Sequence, residues 1–170
     1  IMSVGMPYTS MWSSMATPTP SYSGMVSAFN SFYSNFRYPY GSLSAIDCRK
    51  LEELAAVMRE VNATCTMADS LQDRLEIMDG FNEPLFYDMA DYTDRLCGDN
   101  DILKAKVKKQ ITAAIKSCKS TSQLYSYLYV YQSPKYIDVN TFSGLTISDP
   151  SVNSVAIKGR EKTRWYKDTH

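Results

Sequence analysis

Four cysteines and one histidine are the side chains in this 170-residue chain that are best suited to nucleophilic or metal chemistry: Cys48, Cys65, Cys97, Cys118 and His170. The cysteines lie far apart and form no Cys-x-x-Cys pair, so their spacing predicts neither a zinc site nor a dithiol redox motif. It favours free thiols in a reducing compartment, with disulfides as the alternative. The histidine is the last residue, which is a poor position for a general base.

Other catalytic patterns are missing from the sequence. It has no glycine-rich phosphate loop and no Gly-x-Ser-x-Gly nucleophile motif. The four aspartates between residues 88 and 99 lack the fixed glycine and terminal glutamate of a calcium loop, so we interpret them as a solvated or partner-facing acidic surface. The sequence therefore predicts a protein that is not an enzyme and that uses no metal and no cofactor.

The charges divide into two opposed halves. Residues 47–100 carry 13 acidic and 5 basic side chains, whereas residues 101–170 carry 5 acidic and 12 basic ones. A dipolar chain suits a partner with complementary charge zones, and its basic density is too low to predict nucleic-acid binding. The lysine cluster that includes Lys104, Lys108 and Lys109 could contact an anionic membrane surface, but it is more simply the basic counterpart of an acidic helix in this chain or a neighbour.

The elements that would position these charges fall into three segments. Residues 47–120 show helical spacing and predict helices over 47–79, 83–97 and 101–119. Residues 1–46 carry one charge and are rich in Tyr, Ser, Pro and Met, so they predict an extended arm. Residues 121–170 predict an extended tyrosine-rich strap followed by a basic tail. The predicted fold class is therefore mainly α with long extended arms, non-globular and without a closed core of its own.

Aromatic side chains in both arms suggest how such a chain would attach to a partner. Residues 124–131 alternate strictly, which indicates a strand or strap, with a helical continuation as the other interpretation. Tyrosine can cover apolar surface while its hydroxyl meets a polar group. The candidate partner-binding residues are Tyr33, Phe36, Tyr38, Tyr40, Lys104, Lys108, Lys109, Tyr125, Tyr127, Tyr129, Tyr131, Arg164, Trp165 and Tyr166.

This layout resembles the accessory proteins of insect muscle thick filaments, and among them it is most similar to myofilin. The resemblance covers most of the chain through composition and layout, without a specific motif. It implies a structural protein of the sarcomeric A-band that binds the coiled-coil tails of myosin, and possibly other thick-filament proteins, and sets their spacing in flight muscle. The alternatives are a microtubule inner or axonemal strap protein and a soluble helical adaptor domain. The start of the sequence resembles neither a signal peptide nor a membrane span, so we expect a cytoplasmic protein without a membrane partner.

Overall fold

The computed structural model describes residues 8–35, 42–79, 81–119, 123–126 and 135–170, which contain seven α-helices, six short β-strands and two 3₁₀ helices, Cys48–Lys50 and Asp69–Arg74. The helices are α1 (Tyr8–Met15), α2 (Tyr22–Ser34), α3 (Leu51–Thr64), α4 (Met89–Cys97), α5 (Asp101–Ala114), α6 (Ser154–Arg160) and α7 (Arg164–Thr169). The strands are β1 (Ser42–Ile46), β2 (Tyr87–Asp88), β3 (Ile115–Lys119), β4 (Gln123–Ser126), β5 (Lys135–Asp138) and β6 (Thr146–Ile147).

Polar side chains begin most of these helices. Asn100 accepts a hydrogen bond from the Leu103 amide at the start of α5, and Asn153 accepts one from the Val155 amide at the start of α6. Thr163 caps α7 in the same way. Such a cap satisfies an amide that has no partner within the helix and contributes about 1 kcal/mol. Local sequence therefore fixes where these helices start.

The strands form three antiparallel pairs among the described residues. β1 pairs with β3, β2 with β6, and β4 with β5. The first pair places Ile46 opposite Ile115, and so connects the segment before α3 to the end of α5. The second pair connects the start of α4 to the segment before α6. These two small sheets therefore join parts of the chain that are distant in sequence, whereas β4 and β5 are close in sequence.

The main hydrophobic core lies among α3, α4 and α5. Leu54, Met58 and Val61 of α3 are almost completely buried, and they follow one another at the helical spacing seen in the sequence. They pack in one cluster with residues of α4 and α5 and with Ile147 of β6. The other buried members of this cluster are Leu75, Tyr87, Met89, Tyr92, Leu96, Cys97, Leu103, Val107 and Ile111.

The segment expected to be an extended arm contains α1 and α2 instead. Met11, Phe29 and Tyr33 form a second buried cluster between these two helices, and Leu43 of β1 packs against it. Ser21 caps α2 by accepting a hydrogen bond from the Gly24 amide at 3.1 Å. These contacts bury one face of each helix, while Tyr8, Trp12 and Tyr22 stay exposed on the other side.

The predicted non-globular fold without a closed core is wrong, since the chain folds as a compact α/β structure. The helix expected over 47–79 ends as an α-helix at Thr64, whose hydroxyl donates a hydrogen bond to the Glu60 carbonyl. The helix expected over 83–97 begins only at Met89, because Asp88 provides the cap. The helix expected over 101–119 ends at Ala114, after which β3 pairs with β1.

The opposed charges meet inside this one chain. Lys106 of α5 pairs with Glu60 of α3 at 2.7 Å, and Lys104 pairs with Asp94 of α4 at 3.4 Å. The basic helix is thus a counterpart of acidic helices in the same chain, one of the two arrangements expected from the sequence. Among the residues described, no helix combines the length and the apolar character that a membrane span requires.

Candidate binding site around Asp149 and Arg160

A cavity of about 260 Å³ lies where β6, the following loop and the last two helices meet the main core. Its wall is mostly apolar, and two charged side chains interrupt it. The lining residues are Leu51, Phe86, Met89, Leu145, Thr146, Ile147, Ser148, Asp149, Arg160, Thr163 and Trp165. The site therefore brings the start of α3 and of α4 together with the C-terminal quarter of the chain.

Asp149 is the acidic side chain of this site. Only 5% of its side chain is exposed, and its buried Oδ2 atom accepts no hydrogen bond. Burial raises the pKa of the Asp149 carboxyl, while electrostatic interactions with His170 and Arg160 act in the opposite direction.

Arg160 is the basic side chain of the site. Its Nη1 atom donates hydrogen bonds to the carbonyls of Ser148 at 2.7 Å and Ser151 at 2.9 Å, which ties α6 to the loop that carries Asp149. Its Nε–H is buried and has no acceptor. The guanidinium is therefore held in place by two of its donors and keeps a third one unused.

His170 and Tyr166 of the last helical segment border the same charged pair. The His170 Nε2 atom lies 3.8 Å from Asp149 Oδ2, and the imidazole ring stacks on Tyr166 with 4.1 Å between centroids. Asn62 of α3 lies 3.3 Å from the same Nε2 atom. The terminal histidine is thus held against α3 and the loop after β6, contrary to the expectation that it would be frayed.

Two carboxylates, the half-buried Glu76 and the buried Asp88, hold the loop that forms one wall of the cavity. Glu76 accepts hydrogen bonds from three successive amides, those of Asn140 and Thr141 at 2.8 Å and that of Phe142 at 3.2 Å. Phe142 has a positive φ of 35°, a conformation that is strained for a residue with a side chain. The carboxylate of Glu76 stabilises this strained turn, because it accepts hydrogen bonds from all three of these amides.

Asp88 provides the second attachment. One of its oxygens caps α4 through the amides of Ala90 and Asp91, and the other accepts from the amide and hydroxyl of Ser143. Burial raises the pKa of Asp88, and these hydrogen bonds partly offset that effect. The carbonyl oxygen of Leu145, two residues after Ser143, accepts a hydrogen bond from the amide of Met89. Asp88 therefore positions both the start of α4 and the wall of the cavity.

The residues selected from the sequence do not converge on one surface. Tyr33 is buried inside the second cluster, Trp165 lines the cavity, and Tyr166 stacks on His170. Lys104 is engaged with Asp94, whereas Lys108 and Lys109 are exposed on α5. Arg164 pairs with Asp168, and Tyr125 lies in β4 opposite Tyr136. The candidates Phe36, Tyr38, Tyr40, Tyr127, Tyr129 and Tyr131 lie outside the described residues.

The side chains first considered for nucleophilic chemistry are also distributed over the fold. Cys48 is exposed, Cys65 is half-buried and Cys97 is buried. Burial raises the pKa of the Cys97 thiol to about 11, and the neighbouring Cys65 thiol adds to this effect. Among the described contacts of His170 there is no cysteine. The described residues likewise contain no group of three potential metal ligands.

Sequence reasoning missed Asp149 and Arg160 as members of one site. Arg160 was counted only as part of a basic tail, and Asp149 was not singled out. The one available signal was an isolated aspartate, followed by proline, in a half of the chain that is otherwise mainly basic. That signal identifies a turn but does not indicate burial or proximity to Arg160, which depend on how α6 packs.

Comparisons with known proteins give the family. No protein-family model and no curated protein matches the sequence. Among solved structures, a clostripain from Bacteroides thetaiotaomicron ATCC 29148, in complex with the peptide inhibitor BTN-VLTK-AOMK, is 36% identical with a TM-score of 0.88. The match covers 100% of this chain and 73% of that one.

Two further structures agree with this match. A secreted C11 cysteine protease of Bacteroides thetaiotaomicron, called iotapain, is 36% identical with a TM-score of 0.88, and the match covers all of this chain but 46% of that one. An inactive zymogen C11 protease from Parabacteroides distasonis is 26% identical with a TM-score of 0.81, with 100% of this chain and 49% of that one covered. This chain thus spans about half the length of these two relatives.

The chain belongs to the clostripain-like C11 family of cysteine proteases. The resemblance to myofilin and insect thick-filament proteins is therefore wrong, as is the expectation of a protein that is not an enzyme. The expected partner, myosin tails, and the expected location, the sarcomere, are therefore wrong as well. One of the related proteases is described as secreted. The microtubule strap and the helical adaptor have no support either. Composition misled because Ser-, Tyr- and Met-rich helices without charges imitate an extended arm.

Proposed function

We propose that the protein carrying this chain is a cysteine peptidase that cleaves peptide bonds. The observation that carries this proposal is the 36% identity to a clostripain along the full length of the chain, together with the TM-score of 0.88. In such an enzyme a thiolate attacks the peptide carbonyl, an acyl-enzyme forms as the amine leaves, and water releases the acid. The proposed substrates are peptides, because the related clostripain was solved with a peptide inhibitor.

The part assigned to this chain is the framework of that peptidase. Helices α3, α4 and α5 enclose one core, and Asp88 and Glu76 fasten the loop of residues 140–145 to it. Catalytic groups must be held within fractions of an ångström of their working positions, and rigid packed elements hold them better than loops do. A continuous core with hydrogen-bonded carboxylates at its edge is suited to this task.

A covalent probe tests the proposed activity. The natural protein, expressed from its own gene and kept reduced, is incubated with the biotinylated peptide inhibitor BTN-VLTK-AOMK, and the intact mass is measured. We expect one adduct per protein molecule, and we expect prior treatment with iodoacetamide to prevent it. Protein unfolded in urea is the control, because its thiols have no activating surroundings. A folded protein that acquires no adduct beyond this control would refute the proposal.

A further inference from the structure

Cys65 and Cys97 are neighbouring thiols on two different helix ends. Cys97 is 5% exposed and belongs to the main core, and the half-buried Cys65 packs against the same cluster. The Cys97 thiol donates a hydrogen bond to the sulfur of Cys65. No disulfide joins them in this structure, where both are free thiols. The fold therefore brings together two oxidisable sulfur atoms that are 32 positions apart in the sequence.

The positions of the two cysteines are suited to a bond between them. Cys97 is the last residue of α4 and is followed by Gly98, which has a positive φ of 55°. Cys65 follows the last residue of α3, and its backbone is extended, with φ −115° and ψ 141°. A disulfide requires an S–S distance of about 2.05 Å and a defined torsion about that bond, so free thiols in contact must adjust to form one. Such an adjustment is easier at a helix end, because helical hydrogen bonds hold the backbone on one side only.

We propose that Cys65 and Cys97 form a disulfide bond when the folded protein meets a small oxidising disulfide such as oxidised glutathione. The thiolate of Cys65, the more exposed of the two, attacks one sulfur of this reagent, and one glutathione leaves as a thiolate. The thiolate of Cys97 then attacks the sulfur of Cys65 and displaces the second glutathione. The two protein sulfurs lose two electrons, which the reagent gains, and the two protons of the protein thiols pass to the glutathione thiolates.

The bond joins the end of α3 to the end of α4 beside the main core. It restricts the unfolded chain, because residues 65–97 become a closed loop, whereas packing already holds both cysteines in the folded protein. Oxidation therefore stabilises this part of the framework, and reduction reverses the effect. This bond does not depend on the proposed peptidase function, because its formation needs no substrate and cleaves no peptide.

Equilibration in glutathione buffers tests whether the bond forms. The folded protein is incubated in mixtures of reduced and oxidised glutathione, the remaining thiols are blocked with N-ethylmaleimide, and the protein is digested with trypsin without a reductant. Trypsin cleaves after Lys and Arg, so Cys65 falls in the peptide 60–74 and Cys97 in the peptide 96–104, each with a single cysteine. We expect these two peptides to appear as a linked pair as the oxidised fraction of glutathione rises, and to separate after treatment with dithiothreitol.

Cysteine variants separate this bond from other oxidation. We expect oxidation to raise the melting temperature of the parent protein by about 5 to 10 °C, and to leave that of Cys65→Ser and of Cys97→Ser unchanged. Cys48→Ser is the matched control, because Cys48 is exposed and outside the main core cluster, and it should keep the linked peptides and the shift. The proposal is refuted if Cys65 and Cys97 stay reduced in oxidised glutathione, if either bonds to Cys48 or Cys118 instead, or if their bond does not raise the melting temperature.

Discussion

The Oδ2 atom of Asp88 lies 2.6 Å from the backbone nitrogen of Ser143, a residue 55 positions further along the chain, and 3.0 Å from its hydroxyl. The other carboxylate oxygen caps α4. One buried side chain therefore joins a helix start to the wall of the candidate site. This arrangement explains why a short loop between β5 and β6 can hold a defined conformation.

Removal of this carboxylate should destabilise the protein more than removal of its partner. We expect Asp88→Ala to lower the free energy of unfolding by about 3 kcal/mol, because the helix cap and the buried amides are left without an acceptor. Ser143→Ala should cost about 1 kcal/mol, since only the hydroxyl contact disappears. Urea denaturation at neutral pH measures both. Equal costs would contradict the dual role of Asp88.

The N-terminal helices offer a matched pair of tyrosines. Tyr33 is 2% exposed and Tyr8 is 62% exposed. Tyr33→Ala should lower the free energy of unfolding by about 3 kcal/mol because it leaves a cavity beside Phe29 and Met11. Tyr8→Ala should change it by less than about 0.5 kcal/mol. Similar small effects of both substitutions would indicate that this segment does not pack on itself.

Asp149 makes stability depend on pH. Burial raises the pKa of its carboxyl in the folded protein above the unfolded value of 3.8, so the folded state binds this proton more tightly. Ionisation at neutral pH therefore opposes folding, and this opposition disappears as the pH falls through the raised pKa towards 3.8. Asp149→Asn removes the charge and keeps the shape. We expect its gain in unfolding free energy over the parent protein to be larger at pH 7 than at pH 4.

The control is a second variant, Asp168→Asn, whose free energy of unfolding is compared with that of the parent protein at pH 7 and at pH 4. Asp168→Asn, at the exposed Arg164 pair, should not show a gain of this kind. An equal difference between Asp149→Asn and the parent protein at pH 7 and pH 4 would contradict the burial of an ionised carboxylate at this position.

The cysteines should differ in their reaction with alkylating reagents. With its pKa raised to about 11, the Cys97 thiol is ionised in about one molecule in a thousand at pH 8, and it is also buried. Cys48 is exposed. Peptide mapping after brief iodoacetamide treatment should find Cys48 modified and Cys97 intact, and both modified in urea. Rapid modification of Cys97 in the folded protein would refute its burial.

The helical core was largely predictable from the sequence, because apolar spacing depends on the chain alone. Leu103, Val107 and Ile111 were expected on one face of a helix, and they are buried in the main core. The end of that helix was not predictable, because Ile115 pairs with Ile46 across 69 positions of sequence. Residues 124–131 were expected to form a strand or strap, or a helical continuation; their described part lies in β4 (Gln123–Ser126), which pairs with β5 (Lys135–Asp138).

The N-terminal helices show how composition can mislead. Val26, Phe29 and Tyr33 follow one another at steps of three and four, which is a helical signal. An extended arm was predicted despite this helical spacing, because residues 1–46 carry one charge and contain prolines. The candidate site was beyond reach for another reason: Asp149 and Arg160 meet only through the packing of α6 against the loop after β6.

Peptide hydrolysis is the most direct test of the account. The natural protein, kept reduced, is assayed with a Val-Leu-Thr-Lys peptide that carries a fluorogenic leaving group, because the related clostripain was solved with an inhibitor of that peptide sequence. We predict turnover that iodoacetamide abolishes. If the folded, reduced protein cleaves neither this peptide nor a mixture of unstructured protein substrates, the proposed peptidase function is contradicted.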